Sequence, residues 1–282
     1  MSLAPMFIQG IGLLGPGLAS WPDAQATLRG STPHQFVPTV LPAPPRLPPA
    51  ERRRAGAVIR LAMAVAEEAI AHAGVDPQTL ATVFSSSGGE GSNCHSLCET
   101  LASPNPLISP IRFTNSVHNA ASGYWHIAVG SRYTSTSLCA YDGSFGAGLI
   151  EAATLMHTNG EPLLLVAYDL PYPEPLNTVR PLPDNLGVAL VLTPVPNSRS
   201  IAELRVEPVP ARRAAAARCS AAPGRAGRTR PAAAARRSCA SAWPLRSGRR
   251  RSCRRTRTGW STRNGCRPRC ASSRMLRCAP SS

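Results

Sequence analysis

Cys139 and Asp142 are the two side chains whose setting in this 282-residue sequence most strongly suggests chemistry. They stand three residues apart, directly before a run of small residues that is typical of the start of a helix. The first N–H groups of a helix have no intrahelical partner, and with the helix dipole they stabilise an anion. A thiolate placed there is an activated nucleophile, whereas a carboxylate is a good helix cap.

The flanking residues predict the elements that hold this turn. Residues 120–129 carry apolar side chains at helical spacing, and Gly130 fits a left-handed helix cap. Arg132 to Leu138 is rich in Ser, Thr and Tyr, which predicts a strand. The chain then turns at Tyr141-Asp142-Gly143 and enters a second helix, predicted to end near Met156. This part of the sequence predicts a helix, a strand, a sharp turn and a helix.

The glycines at 10, 12 and 15 spell the G-x-G-x-x-G pattern of a dinucleotide site. Pro16 and Gly17 follow where that site needs a helix, and no acidic residue stands about 20 positions further on to hold a ribose. We therefore expect no nucleotide cofactor. The glycines are interpreted as allowing a tight exit from the first strand.

Cys94, His95 and Cys98 bring three soft metal ligands into five residues. No fourth ligand stands at a recognisable spacing, so we predict no metal site. Cys94 and Cys98 are expected to pack inward from one face of a helix.

Strand and helix patterns alternate around these groups. Strands are predicted at Met6 to Ile11, Ala81 to Ser85, Pro162 to Ala167, Gly187 to Thr193 and, as an edge strand, Ile201 to Glu207. Helices are predicted at Trp21 to Leu28 and, as the longest helix, at Glu51 to Ala73, with Gly74 as its cap. The uninterrupted apolar runs at Pro162 to Ala167 and Gly187 to Thr193 are typical of parallel strands covered on both faces. Alternating strands and helices predict a layered α/β domain.

The charge divides the chain near residue 210. Of the 31 basic residues, all arginine, 20 lie in residues 211–282, while all 15 acidic residues lie in residues 1–210. Six of the nine cysteines also fall in residues 211–282, at irregular spacings. A GC-rich coding sequence read in the wrong frame gives this Arg, Ala, Pro, Gly, Ser and Cys composition. We therefore predict one domain over residues 1–210 and a disordered frameshift product over 211–282.

The alternative for the arginine-rich segment is nucleic-acid binding through phosphates. Trp243 and Trp260 are its only aromatic residues, too few for a base-stacking platform, so we expect no specific nucleic-acid partner. The sequence contains no run of about 20 apolar residues, so we predict no membrane span. The N-terminus has no basic region before an apolar run, so we expect a cytoplasmic protein.

Several motifs resemble the N-terminal half of the ketoacyl synthases, the condensing enzymes of the thiolase fold. The first strand and its glycines resemble that family's first strand and loop, and Ala73-Gly74-Val75-Asp76 resembles the end of its long alanine-rich helix. Asn119-Ala120-Ala121-Ser122-Gly123 resembles its Asn-x-x-(Ala/Ser)-Gly helix, and Gly187 to Leu192 resembles a strand near the middle of its chain. The likeness covers most of residues 6–195 and implies an α/β, thiolase-like layered fold.

The family places its nucleophilic cysteine 23 residues after the asparagine, and that spacing from Asn119 leads to Asp142. Counting back from Glu151-Ala152, which resembles the family's next helix, gives Asp142 again. Cys139 would then lie inside the preceding strand. None of the six histidines, all before residue 160, stands in a motif resembling the family's catalytic histidine sequences.

This departure resembles the chain length factors, which have lost the nucleophile and pair with an active ketosynthase. Their short forms, found with aryl polyene pathways, contain a sequence much like Ala140 to Phe145. The resemblance implies a non-catalytic subunit without a cofactor, which reaches an acyl carrier protein through its ketosynthase partner. The alternative is a condensing enzyme that uses Cys139.

The resemblance also assigns surfaces. The strand before the nucleophile position pairs across the dimer axis in ketosynthases, which implies a partner interface at Tyr133, Thr134, Ser135, Thr136, Ser137 and Leu138. Residues just before Asn119 reach toward the neighbour's pocket, which implies a chain-length role for Ile111, Arg112 and Phe113.

Overall fold

The computed structural model describes residues 4–207, which form a mixed six-stranded sheet with helices on both faces. The strands are β1 (Met6–Leu14), β2 (Ala81–Ser85), β3 (Ser135–Leu138), β4 (Leu163–Asp169), β5 (Leu186–Thr193) and β6 (Ala202–Leu204). The helices are α1 (Trp21–Leu28), α2 (Pro49–Arg54), α3 (Ala57–Ala73), α4 (Gly91–Ala102), α5 (Pro110–Thr114), α6 (Ala120–Val129), α7 (Ser144–Asn159) and α8 (Leu176–Val179). Short 3-10 turns cover Pro77–Thr79 and Tyr141–Gly143.

The strand order is β3-β2-β4-β5-β1-β6. Strand β2 runs parallel to both β3 and β4, whereas the pairs β4 with β5, β5 with β1, and β1 with β6 are antiparallel. The predicted edge strand near residue 201 is confirmed as β6, and β3 forms the opposite edge of the described sheet. The carboxyl ends of β3, β2 and β4 therefore lie side by side.

Each face of the sheet has its own apolar core. Helices α3 and α6 cover one face, where Leu61, Val65 and Trp125 pack against β4 and β5 residues such as Leu164 and Val191. Helix α7 covers the other face, and its buried side chains contact strand residues of the second core. The α/β layering predicted from the sequence is confirmed.

Gly10 and Gly12 have a different role from the one predicted. They lie within β1 rather than at its exit, and α3 crosses directly over them. A Cβ at Gly12 would stand 1.9 Å from the carbonyl oxygen of Val65, and a Cβ at Gly10 2.2 Å from that of Ala69. These glycines therefore let the helix backbone approach the strand.

The predicted helix from Glu51 to Ala73 is two helices, because the chain is extended at Gly56, between α2 and α3. Within α2, the guanidinium of Arg52 donates to the carbonyl oxygens of Pro45 (2.8 Å) and Leu47 (2.9 Å). These bonds tie α2 to the preceding proline-rich segment. The predicted left-handed cap at Gly74 is confirmed.

Glu67 and Glu68 are neighbours on α3 with opposite surroundings. The carboxylate of Glu68 accepts hydrogen bonds from the backbone N–H groups of Leu13 (2.8 Å) and Trp21 (2.7 Å). Glu67 Oε1 is buried and has no hydrogen-bond partner among residues 4–207. Burial raises the pKa of Glu67, although Arg46 opposes this effect.

We predict that Glu67→Gln raises the free energy of unfolding at pH 7, by up to about 1 kcal/mol because Glu67 stays partly exposed. Because the pKa of Glu67 is higher in the folded state than in the unfolded state, the wild type loses stability as the pH rises between these two pKa values. The gain from Glu67→Gln should therefore shrink toward pH 4. The matched Glu68→Gln should lose about 1–2 kcal/mol, because its bonds to a charged acceptor weaken. Urea unfolding at pH 7 and pH 4 measures both, and the same sign at pH 7 for the two variants would contradict this.

No helix within residues 4–207 is long and apolar enough to cross a membrane.

Candidate functional site

The site lies at the carboxyl ends of the three parallel strands. Strand β2 continues into Ser86 and Ser87, β3 into Cys139, and β4 ends at Asp169. Because parallel strands end at one edge of the sheet, these side chains converge, and ligands of α/β proteins commonly bind at such an edge.

Asp169 is the centre of a hydrogen-bond network that we did not predict from the sequence. Its Oδ1 accepts from Ser86 Oγ (3.1 Å), Ser87 N (2.8 Å) and Ser87 Oγ (2.7 Å). The Ser87 hydroxyl also lies 2.9 Å from the hydroxyl of Tyr172. The network fixes the loop after β2 to the end of β4. In the sequence, the signal for this network was a polar residue at the end of each of the two buried strands, β2 and β4.

The predicted strand, turn and helix are confirmed, and the turn is held by hydroxyl groups. Ser144 Oγ donates to the carbonyl oxygen of Tyr141 (2.7 Å) and accepts from Ala140 N (3.0 Å). Ser85 Oγ donates to the carbonyl oxygen of Ser144 (2.6 Å), which ties the start of α7 to β2. Tyr141 has a φ of 53°, a left-handed conformation that bulky residues rarely adopt. The turn therefore stores strain at the position next to Asp142.

Asp142 does not cap a helix, which corrects the simplest structural explanation for its presence. Neither the 3-10 turn nor α7 has a side-chain cap, and the Asp142 carboxylate forms an ion pair with Arg180 instead. The Arg180 guanidinium carbon lies 3.7 Å from the ring centre of Tyr141 and 5.2 Å from that of Tyr172. The Asp142 side chain is 75% exposed and that of Arg180 is 20% exposed.

The surroundings of Arg180 keep it charged. Partial burial alone would lower the pKa of the guanidinium, but the hydrogen bond to Asp142 and the nearby Tyr172 and Tyr141 raise it above its usual value. The turn before α7 thus carries a carboxylate that is paired with an arginine, and the guanidinium of that arginine lies close to two aromatic rings.

Cys139 lies one residue after the end of β3, not inside the strand as predicted. Its Sγ donates to the carbonyl oxygen of Ser87 at 3.3 Å. No histidine or carboxylate within residues 4–207 forms a hydrogen bond with this thiol; the nearby His118 contacts the Ser86 carbonyl oxygen at 3.2 Å instead. The thiol is exposed, and no base among residues 4–207 is hydrogen-bonded to it in the way that activates a nucleophile.

A cleft of about 400 Å³ runs from the loop after β2 to Arg180, and Cys94, His95 and Cys98 line it. The two cysteines are exposed, whereas Leu97 is the buried residue of α4, so the prediction that the cysteines pack inward is wrong. Burial, with smaller contributions from Cys98 and Glu90, raises the pKa of Cys94. Among the described residues, no three His, Cys, Asp or Glu side chains converge as a metal site requires.

A second cavity, of about 510 Å³, opens beside the start of α7. Its lining is mainly apolar and includes Pro16, Leu18, Phe145, Leu182, Leu186 and Val188. A cavity of this size and character can accept an apolar chain.

The two predicted surfaces differ in exposure: the α5 residues and Tyr133 to Ser135 are exposed, whereas Thr136 to Leu138 are half-buried. Ser135 to Leu138 form β3, the edge strand, and Tyr133 and Thr134 precede it. Ile111, Arg112 and Phe113 lie in α5, where Ile111 is 47% and Phe113 65% exposed.

This sandwich, with a strained strand–turn–helix at the carboxyl edge of its parallel strands, defines a thiolase-like condensing-enzyme domain. Residues 21–261 match the sequence model described as beta-ketoacyl synthase, N-terminal domain. The match covers most of the chain, so the protein belongs to the beta-ketoacyl synthase family, and its sheet and helices form the ketosynthase fold. The matched range extends past residue 210, outside the described residues. No match to a curated protein was found.

Solved structures give the same fold. The chain is similar, at 27% identity and a TM-score of 0.58, to the structure of the ketosynthase ApeO in complex with its chain length factor ApeC from Xenorhabdus doucetiae. That match covers 67% of this chain and 78% of the other. The ishigamide ketosynthase/chain length factor matches at 14% identity, with a TM-score of 0.56, over 67% of this chain and 62% of the other.

A third similar structure, AntDE:AntF, is described as a type II PKS acyl-carrier protein in complex with its ketosynthase bound to the hexaketide. It matches at 14% identity and a TM-score of 0.54, over 68% of this chain and 64% of the other. The chain thus spans less than two thirds of the length of these two more distant structures.

Proposed function

We propose that the chain is a non-catalytic, chain-length-factor-type subunit that pairs with an active ketosynthase. The observation that carries this proposal is the Asp142–Arg180 ion pair at the turn where the family places its nucleophile. A carboxylate paired with a guanidinium cannot form a thioester. Cys139, the described thiol next to the turn, donates to the Ser87 carbonyl oxygen and is not hydrogen-bonded to a base within residues 4–207.

The partner interface is proposed along β3. This strand pairs only with β2 in the described sheet, which leaves the other edge open. An open edge of this kind recruits a strand from another chain. The first similar structure, a ketosynthase in complex with its chain length factor, supports a heterodimer in which the partner does the acyl transfer.

The substrate role is proposed through α5. Ile111 and Phe113 project apolar side chains into solvent, and Leu107 (76% exposed) and Ile108 continue this surface. Apolar side chains exposed together on one short segment indicate a surface that another molecule covers. In the heterodimer they would border the partner's pocket and limit the growing polyene or polyketide, which an acyl carrier protein delivers to the partner.

Co-purification tests the pairing. The tagged chain is co-expressed with ketosynthases from the same organism, with ApeO as an outside comparison, and the mass of the complex is measured by light scattering. A stable complex of one copy of each chain is expected. Failure to pair with any ketosynthase would overturn the proposal.

Acylation tests the alternative that Cys139 is the nucleophile, since its Sγ is exposed near the site. We predict no increase in intact mass when the chain is incubated with acyl-pantetheine thioesters, because the thiol has no activating base. Cys139→Ser is compared with Cys98→Ser, which removes another exposed thiol. An adduct that disappears only in Cys139→Ser would make the protein a condensing enzyme.

The frameshift origin of residues 211–282 stays a prediction, and this segment lies outside the described residues. Reading the coding DNA near codon 211 in the other two frames tests it. An open frame with helix and strand patterns supports the frameshift, and stop codons in both frames would rule it out.

A further inference from the structure

A groove between α6 and β3 is polar. We call it the polar groove and define it by Asn119, Ser122, Gly123, His126, Ser135 and Ser137, which enclose about 410 Å³. It lies on the α6 face of the sheet, beside the open edge of β3. Neither the ion pair at Asp142 nor the apolar side chains of α5 use it.

Two hydroxyl groups of the groove can still form a hydrogen bond with another molecule. Ser122 Oγ donates its proton to the carbonyl oxygen of Asn119 (2.9 Å), so in its contact with Ser137 Oγ (3.1 Å) the proton comes from Ser137. Ser137 Oγ is then free to accept. With the ring proton of His126 assigned to Nε2, Thr82 Oγ1 accepts from His126 Nε2 (3.2 Å) and donates to Ser135 Oγ (2.8 Å), which leaves the Ser135 proton free to donate. The groove thus offers a donor and an acceptor two residues apart.

The backbone of the same two serines faces outward. The carbonyl oxygens of Thr134 and Leu138 accept from β2 residues, at 2.9 Å from Thr82 N and 3.3 Å from Ser86 N. Groups of alternate residues in a parallel pair point to opposite edges of the strand, so those of Ser135 and Ser137 point away from β2. A strand added there would be bonded to these residues and would place its own side chains beside the groove.

Gly123 opens the groove from the helix side. A Cβ at this position would have nothing within 4 Å, and Gly123 is exposed in the middle of α6. Glycine weakens a helix relative to alanine, and the described residues give no packing reason for it here. By contrast, a Cβ at Gly148 would stand 3.0 Å from Ser85 Cβ, so close packing favours glycine there. The notch at Gly123 is therefore space for a group from another molecule.

We infer that the polar groove is a specificity-determining part of the partner interface. It receives an uncharged side chain with both a donor and an acceptor, a carboxamide or a hydroxyl, from the strand that a ketosynthase adds to β3. This inference rests on the proposed pairing and adds the chemistry that selects the partner. An apolar side chain in this place would cover Ser135 and Ser137 without bonding their open hydroxyl groups, which is a strong source of discrimination.

The test measures the dissociation constant of the ketosynthase heterodimer for four chains. Gly123→Leu fills the notch, Ser135→Ala/Ser137→Ala removes both open hydroxyls, and Gly146→Leu makes the same glycine change on α7, where a Cβ also meets nothing within 4 Å. Gly123→Leu and the double variant are expected to bind at least about tenfold more weakly than wild type. Gly146→Leu should bind like wild type, and circular dichroism checks that every variant is folded.

The outcomes separate the inference from the proposed function. If the wild type and the groove variants pair equally well with the ketosynthase, the inference is overturned and the proposed function stands. Wild type that forms only a self-dimer, weakened by the groove variants, would show that the groove binds a second copy and would overturn both. Wild type that pairs with nothing would also overturn both.

Discussion

Replacing Asp169 with alanine is expected to lower the free energy of unfolding by about 3 kcal/mol. Its Oδ1 accepts three hydrogen bonds from Ser86 and Ser87, and these donors are buried or half-buried. Alanine would leave all three without their acceptor and would free the loop after β2 from the end of β4. Urea unfolding, followed by circular dichroism, measures the loss.

Two variants control this experiment. Asp169→Asn keeps an acceptor oxygen and should lose only about 1 kcal/mol, because a neutral acceptor replaces a charged one. Asp142→Ala removes a carboxylate that is 75% exposed and makes one ion pair, so its effect should stay within about 0.5 kcal/mol. If Asp142→Ala cost as much as Asp169→Ala, the turn and not the Asp169 network would hold the site together.

The strands of the core could be predicted because each is a short apolar run with turn residues beside it. β2 and α1 have the predicted bounds, and β4 and β5 differ from the prediction by one or two residues at an end. The parallel direction predicted for β5 is wrong. An apolar run covered on both faces is typical of a parallel strand, yet β5 is antiparallel to both of its neighbours.

For the candidate site, the sequence predicted only the positions of its elements along the chain, not the contacts between distant residues. Spacing identified Asp142 as the residue at the turn, and the turn is where it was predicted. The partner of Asp142 is 38 residues away in the sequence, and no local pattern links Arg180 to it. The local sequence favoured a helix cap at Asp142. Asp142 forms an ion pair instead, and this ion pair depends on how the segment after β4 folds back. The Asp169 network escaped prediction for the same reason.

The buried face of α4, which has the core on one side and an open cleft on the other, was predicted wrongly. Cys94 and Cys98 resemble small buried residues by type, but they line an open cleft while Leu97 takes the core position. Leu97 and Leu101 are the only large apolar residues of this polar helix, and two such residues are too few to fix which face turns inward.

Changing the size of Phe113 is expected to change the length of the product made by the heterodimer. The side chain is 65% exposed in this chain, and under the proposed function it borders the partner's pocket. Each buried CH2 contributes about 0.8 kcal/mol, so a two-carbon extension unit contributes about 1.6 kcal/mol, or roughly tenfold in a product ratio. Phe113→Ala should favour the longer product by at least about tenfold, and Phe113→Trp should favour the shorter one.

The control is Leu101→Ala, because Leu101 is similarly exposed (58%) but lies in α4. Products of the wild-type and variant heterodimers are compared by mass spectrometry at equal concentrations of complex. A shift in opposite directions for Ala and Trp, with none for Leu101→Ala, separates a steric limit from a general loss of activity. Equal product lengths for all four complexes would show that α5 does not border the pocket, even if pairing through β3 is intact.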